Sequence, residues 1–398
     1  MLQAMAATLA GMNLADLAEE VKPEGALAAS PQASGAAKGF TAGAQPVNLL
    51  EFEALARRRI ARMAYDYIAG GAADELTLRR NRECFDQLRL KPRVLVDVSK
   101  LDTTLELLGK KLAFPILLAP TAYHKLVNPE GERATARGAG KAEVTMVVSS
   151  FATVAIESVA KAATGPLWFQ LYVQRDRGFT RELVQRAEGS GCKALCITVD
   201  TPVAGTRDRE ARHQFRLPPG MEAENLRELV KKSERVSHVS EQGIYSLILD
   251  PELTWKVIDW IRGIARVPVL LKGILAPEDA RLAVEHGVAG IIVSNHGGRN
   301  LDTVPATIEA LPRVAEAVAG RASVLMDGGV RRGTDVVKAL ALGAQAVLIG
   351  RPYLWGLAVG GAEGVKRVVT MLRTELEAAM ALCGTPSLER ITRSVIWE

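Results

Sequence analysis

The chain is poor in the residues that mark several functional classes. Aromatic residues make up 5% of its 398 positions, too few for a platform on which nucleic-acid bases stack. The net charge is only +5, with no dense Lys/Arg block. That balance excludes a nucleic-acid surface and fits attraction of small anions. The four cysteines, Cys84, Cys192, Cys196 and Cys383, have no metal-binding spacing and read as reduced thiols, so no metal is expected. No apolar run approaches the roughly 20 residues of a membrane span, and no membrane partner is expected. The first 45 residues lack sustained hydrophobic periodicity. Rich in Ala, Gly, Ser and Pro, they read as a flexible extension with one short helix at most, from Leu2 to Glu20. Residues 46–398 are then one domain. Met1 to Leu14 resembles the apolar part of an export signal, but no basic segment precedes it. Cytoplasmic residence is expected, with export as the alternative if a twin-arginine signal lies upstream.

What is abundant is short hydrophobic runs in alternation with helical patterns. The candidate strands are 115–119, 144–148, 167–171, 194–199, 269–272, 290–293, 323–326 and 346–349. Amphipathic stretches such as 180–188, 277–286, 305–318 and 333–342 lie between them. Eight apolar strands, each followed by a helix, predict an α/β chain folded as a (β/α)8 TIM barrel. An N-terminal helical segment, clearest from Glu51 to Tyr67, is expected to pack on the barrel and to send Tyr67 toward its mouth. A long charged stretch, about 202–246, separates the fourth and fifth strands at the end where barrels work, and reads as a lid.

Polar residues gather where these strands end. They include Pro120-Thr121-Ala122, Ser149, Gln170, Tyr172, Thr198 and Asp200, followed by Arg207, Lys272, Ser294 and the pair His296 and Arg299. Asp327-Gly328-Gly329-Val330-Arg331 and Gly350-Arg351 complete the series. Any one of them alone is an ordinary strand end or a solvated charge. On a barrel they share one rim, and that conjunction is improbable by chance. The turn 294–299 joins a histidine, which exchanges protons near neutral pH, to an arginine, whose planar fork suits a carboxylate. The glycine-rich turn after the seventh strand and the Gly-Arg after the eighth lie where barrels hold phosphate. A phosphate-bearing cofactor with a small acid beside it is the implied content.

The residues resemble the FMN-dependent L-2-hydroxy acid oxidase and dehydrogenase family, from about Asn48 to the C-terminus. The resemblance rests on Tyr65-Asp66-Tyr67, Ala119-Pro120-Thr121-Ala122, Pro129-Glu130-Gly131-Glu132, Phe169-Gln170-Leu171-Tyr172, Thr198-Val199-Asp200-Thr201-Pro202, the turn 294–299, Asp327 to Gly333 and Gly350-Arg351-Pro352. It implies FMN as cofactor, touched by Pro120, Thr121, Ala122, Ser149, Gln170 and Thr198, with Lys272 stabilising the reduced ring. Ser294, Asp327 to Arg331, and Gly350-Arg351 would hold the ribityl chain and phosphate. Arg299 and Arg207, helped by Tyr67, would bind the substrate carboxylate, and Tyr172 its hydroxyl. His296 would be the base, oriented by Asp200. The reaction implied is oxidation of an (S)-2-hydroxy acid to the 2-oxo acid, the electrons passing to O2 with release of H2O2. A homotetramer or homo-octamer is implied as well.

Some positions depart from the glycolate-oxidising members. Phe151 stands where they have Trp, Tyr123-His124 where they have Met-Gln, and Thr206 where they have a second arginine; Val203-Ala204 is less bulky. The enlarged pocket, bordered by Ala122 and Phe151, favours lactate or a larger aliphatic or aromatic acid, and Ala122 itself leans toward an oxidase. The alternatives are a dehydrogenase of the same family passing electrons to a quinone or cytochrome, another FMN barrel such as a type 2 isopentenyl diphosphate isomerase, and a non-enzymatic sensor of FMN or an acid. The His296/Arg299 pair with Arg207 points to a carboxylate and not a diphosphate.

Overall fold

The computed structural model describes residues 45–230 and 249–397. Eight parallel strands close a barrel: β1 (Ile116–Leu118), β2 (Met146–Ser149), β3 (Leu167–Leu171), β4 (Leu195–Thr198), β5 (Val269–Ile274), β6 (Gly290–Val293), β7 (Ser323–Met326) and β8 (Ala346–Ile349). Each strand pairs with its sequence neighbours, and β8 pairs with β1. Side chains alternate across such strands. Leu117, Val147, Trp168, Cys196, Leu270, Ile292, Leu325 and Leu348 therefore point inward and plug the barrel. Their neighbours Met146, Phe169, Ile197, Leu271, Val293 and Val347 face the helices. Burying each Leu, Ile or Val stabilises by roughly 1.5–3 kcal/mol. One step of two beyond the plug, the same inward series gives Ser149, Gln170, Thr198, Lys272, Ser294, Asp327 and Gly350. The period that fills the core with hydrocarbon thus delivers polar groups to one rim.

Three details differ from the sequence reading. The helix expected over 51–67 is two helices, α1 (Leu49–Arg57) and α2 (Arg62–Ala69). Positions 52, 56, 60, 64 and 68 keep an unbroken four-residue apolar spacing that hides the break. Physically, Arg59 leaves the helix to donate to Val359 O, and Tyr65 stacks on Trp355 with ring centres 5.5 Å apart. Strand β5 runs past Lys272 through a bulge at Gly273, which has φ +114. A Cβ at Gly273 would lie 2.5 Å from that of Asp200, so the bulge lets the carboxylate pack there. The stretch 202–246 carries a short helix, Asp208–Arg212, and a 3-10 turn, Glu224–Leu226. Its part from 231 on, like the helix expected within 2–20, falls outside the described residues.

Helix α3 (Leu76–Gln87) begins after Glu75, which sits at φ 60 and does not cap it. Asp302, from the loop after β6, accepts instead from Leu76 N at 3.1 Å and Thr77 N at 2.7 Å. A carboxylate at a helix start satisfies donors the helix cannot. Asp302→Ala is expected to cost about 1–2 kcal/mol. A urea titration will read this as a lower midpoint with unchanged slope.

Candidate active site

The residues gathered at the rim form a histidine–carboxylate pair. His296 follows β6 on a turn at φ +57 and is held by three contacts. Its backbone N donates to Ser294 Oγ at 3.1 Å, Nδ1 lies 3.1 Å from Asp200 Oδ1, and Nε2 lies 3.2 Å from Tyr172 OH. Thr201 Oγ1 also donates to Asp200 Oδ1, at 3.0 Å. Burial lowers the imidazole pKa, Asp200 raises it, and the charges of Lys272 and Arg207 lower it again; the balance falls below the ordinary value. Burial works against the Asp200 carboxylate, but His296 and Lys272 outweigh it and keep it ionised. Burial also pushes the Tyr172 phenol well up, with Asp200 adding to the effect, so it remains a donor. At neutral pH the ring is uncharged, with Nδ1–H donating to Asp200 and the Nε2 lone pair facing the cavity, where it accepts from Tyr172 OH. That is the state of a base.

Beside it stand two arginines. Arg299 Nη1 donates to Gly70 O at 3.0 Å and to Tyr67 O, its guanidinium lies 4.9 Å from the centre of the Tyr67 ring, and Nη2 meets Glu210 Oε1 at 3.0 Å. Arg207 holds Arg299 O through Nε at 3.1 Å and reaches both Glu210 oxygens at 3.4 Å. Aromatic rings close the rest of this side. Phe215 stacks on Tyr67 at 4.2 Å, and Phe151 meets Tyr172 edge-on at 5.1 Å and Tyr123 at 6.1 Å.

The other half of the cavity, which totals about 390 Å³, is lined by Pro120 to Ala122, Ser149, Gln170, Thr198, Lys272, Asp327 to Arg331 and Gly350-Arg351. Gln170 ties β2 to β4, accepting from Ser149 Oγ at 3.1 Å and donating to Thr198 Oγ1 at 2.8 Å. Lys272 Nζ reaches Ser294 Oγ at 2.9 Å and Asp327 Oδ2 at 3.1 Å. Burial opposes its charge, but Asp327 and Asp200 hold its pKa above the usual lysine value. Three observations fit a phosphorylated, hydroxylated cofactor here. Asp327 Oδ1 is buried without a partner, as an acceptor for a ligand hydroxyl would be. Gly328 and Gly329, at φ +93 and +84, line the cavity with backbone alone, the turn packed so closely on α3 that a Cβ at Gly329 would strike Asn81 O at 1.9 Å. Burial and the charge of Arg82 press the Arg331 guanidinium down to about 10, a cation short of an anion. Arg351 is different in kind. Burial, with Arg299 and Arg331, presses it down to about 9, and three of its five N–H groups already donate to Ile68 O, Gly297 O and Gly70 O. It binds α2 to the rim.

Sequence reasoning missed Glu210, Phe215 and the Asn81–Asn295 pair. The last two exchange side-chain bonds of 2.9 and 2.8 Å and lock α3 to the β6 turn. Glu210 had a faint signal, three residues after Arg207 on a short helix. The asparagines are 214 positions apart and had none. All four cysteines are buried and free, and burial pushes Cys196 in the barrel plug up to about 12. Among the described residues no cluster of acidic, His or Cys side chains is arranged for a metal, and no helix is long and apolar enough to cross a membrane.

A closed eight-stranded barrel with a histidine–carboxylate pair, an arginine pair and a glycine-rich turn on one rim defines a cofactor-dependent barrel enzyme. Residues 56–398 match the model of the FMN-dependent dehydrogenase family. An L-lactate oxidase of Nostoc sp. is 48% identical over 365 residues, covering 90% of this chain and 100% of the relative. Glycolate oxidase of Spinacia oleracea is 48% identical over 352 residues, with coverages of 88% and 95%. A crystal structure of mandelate oxidase with (S)-2-phenylpropionate superposes with a TM-score of 0.80 at 40% identity, covering 88% of this chain and 98% of that one. The chain belongs to the FMN-dependent dehydrogenase family, among its 2-hydroxy-acid oxidases, and its cofactor is FMN.

Proposed function

We propose that this enzyme oxidises an (S)-2-hydroxy acid with an apolar side chain, lactate or larger, to the 2-oxo acid, with O2 as electron acceptor and H2O2 as product. The observation that carries the reading is the neutral, Asp200-backed His296 whose Nε2, beside Tyr172 OH, shares a cavity with Arg207 and Arg299. The arginines take the carboxylate, which fixes the neighbouring carbon and its hydroxyl beside the histidine. Tyr172 OH donates to that hydroxyl oxygen while Nε2 removes a proton, and Asp200 stabilises the imidazolium. FMN, when bound, supplies the two-electron acceptor and hands the electrons on. Pro120 to Ala122, Ser149, Gln170 and Thr198 would hold its ring and Lys272 would offset negative charge on it. Ser294 and the unpartnered Asp327 Oδ1 would meet the ribityl hydroxyls, and Arg331 with the 328–330 backbone the phosphate. Tyr123, Phe151, Ala204, Phe215 and Leu249 line the remaining wall. This apolar lining supports a substrate with more than a hydrogen on the reacting carbon.

The test is anaerobic mixing of the yellow holoenzyme with (S)-lactate, glycolate, 2-hydroxyoctanoate and (S)-mandelate. Bleaching of the flavin band is expected with lactate or a larger acid, faster than with glycolate, and recovery of colour is expected on admitting air. A flavin that stays oxidised with all four acids sinks the substrate class. One that bleaches but ignores O2 makes the protein a dehydrogenase.

A further inference from the structure

The arginine pair assigned above to the substrate carboxylate already holds a carboxylate from the chain itself. Glu210 Oε1 lies 3.0 Å from Arg299 Nη2, and both its oxygens lie 3.4 Å from Arg207 Nη1. These are the nitrogens an incoming acid needs. Arg299 Nη1 is committed to Gly70 O and Tyr67 O, and Arg207 Nε to Arg299 O. The Glu210 side chain is 16% exposed and lines the cavity. We propose that Glu210 is a built-in competitor for the substrate carboxylate, a specificity-determining residue that only a correctly anchored acid displaces. The proposal rests on the reading of Arg207 and Arg299 as the carboxylate site.

The helix that carries Glu210 is suited to give way. Asp208–Arg212 has no buried residue. It leans on the helices over the mouth through Arg209–Glu75 at 2.7 Å and His213–Asp66 at 3.1 Å, with Phe215 stacked on Tyr67 just beyond. Without Glu210 the two guanidinium groups repel each other across the site, where burial and then the charge of Arg207 already hold the Arg299 guanidinium below its usual value. With Glu210 in place their joint charge falls from +2 to +1. A neutral ligand or one lacking the two-oxygen geometry of a carboxylate gains too little to displace it. Substrate affinity is reduced by the fraction of enzyme in the Glu210-bound state.

Glu210→Gln keeps the shape and removes the charge; Glu210→Asp keeps the charge but shortens the reach. Two readouts on the holoenzyme separate this inference from the assignment beneath it. One is the Kd of acetate, a carboxylate that cannot be oxidised, from its perturbation of the flavin absorbance. The other is KM and kcat for the acid that bleaches the flavin fastest. In Glu210→Gln, acetate Kd and KM are expected to fall together by about tenfold, as when a competitor holding nine-tenths of the site is removed, and in Glu210→Asp by less. If Kd and KM rise or stay level in both variants with FMN still bound, Glu210 is a fixed counter-charge and the proposal is overturned. If acetate binds none of the three proteins, the arginine pair is not a carboxylate site, and the assignment falls together with the inference.

Discussion

His296→Gln is expected to retain FMN and to lose about 10²–10⁴ in kcat, the usual contribution of a positioned base. Glutamine fills much of the imidazole's volume and can still meet Asp200, but it offers no basic nitrogen at the place of Nε2, 3.2 Å from Tyr172 OH. The loss should appear in the anaerobic rate of flavin bleaching and leave reoxidation by O2 unchanged, because only the first half-reaction moves the substrate proton. A variant that bleaches within tenfold of wild type removes His296 from its role as base. The pH profile gives an independent reading. Burial, Lys272 and Arg207 together outweigh Asp200 and hold the imidazole below its ordinary value, which is about 6.5. Protonation removes the lone pair, so kcat/KM should fall as pH falls, with the limb lying below about 6.5 and a flat profile through neutrality. Asp200→Asn deletes the group that raises the pKa. Its limb should move further down while the maximum drops, since the ring loses its orientation and its stabilised cation.

The barrel and most of its rim were legible in the sequence for one reason. In a parallel barrel the core residues and the functional residues occupy the same two-residue register, so finding the strands also finds Ser149, Gln170, Thr198, Lys272, Ser294 and Asp327. Strand limits were right to within a residue or two because hydrophobic runs end where the polar rim begins. Helix limits in the N-terminal segment were not, since an i, i+4 stripe persists across the Arg58–Ala61 break and periodicity sees no interruption. The residues missed share another property. Glu210, Asn81 and Asp302 act on partners brought near by the closed barrel, over separations of 89, 214 and 225 positions or so. Apart from the place of Glu210 three residues after Arg207, nothing local marks such a residue. The division of labour among the arginines was also out of reach, because the sequence places Arg331 and Arg351 alike at strand ends. Only their partners show that Arg351 already holds three carbonyls while the Arg331 side chain holds one, Val330 O.

Arg299→Met should produce the second large loss. The guanidinium is anchored by Gly70 O and Tyr67 O and presents Nη2 to the cavity, so its direction is fixed before any ligand arrives. A buried charge pair broken by truncating one partner typically costs 2–5 kcal/mol, which corresponds to roughly 30-fold to a few thousand-fold in kcat/KM. Most of it should fall on KM, with kcat reduced to the extent that the loosened acid no longer holds its carbon against His296. Arg207→Met is expected to lose less, because its contact with a carboxylate in the site is longer, 3.4 Å against 3.0 Å. Arg299→Lys should recover only part of the loss, since an ammonium cannot bind both carbonyls and a carboxylate in one plane. The decisive comparison is between a 2-hydroxy acid and its neutral amide. If Arg299 binds the carboxylate, the acid loses its advantage over the amide in Arg299→Met, and the two are turned over at similar rates. An equal proportional loss for both compounds would mean that the guanidinium serves to hold Gly70 and Tyr67 over the mouth, and that the anchor for the acid lies at Arg207.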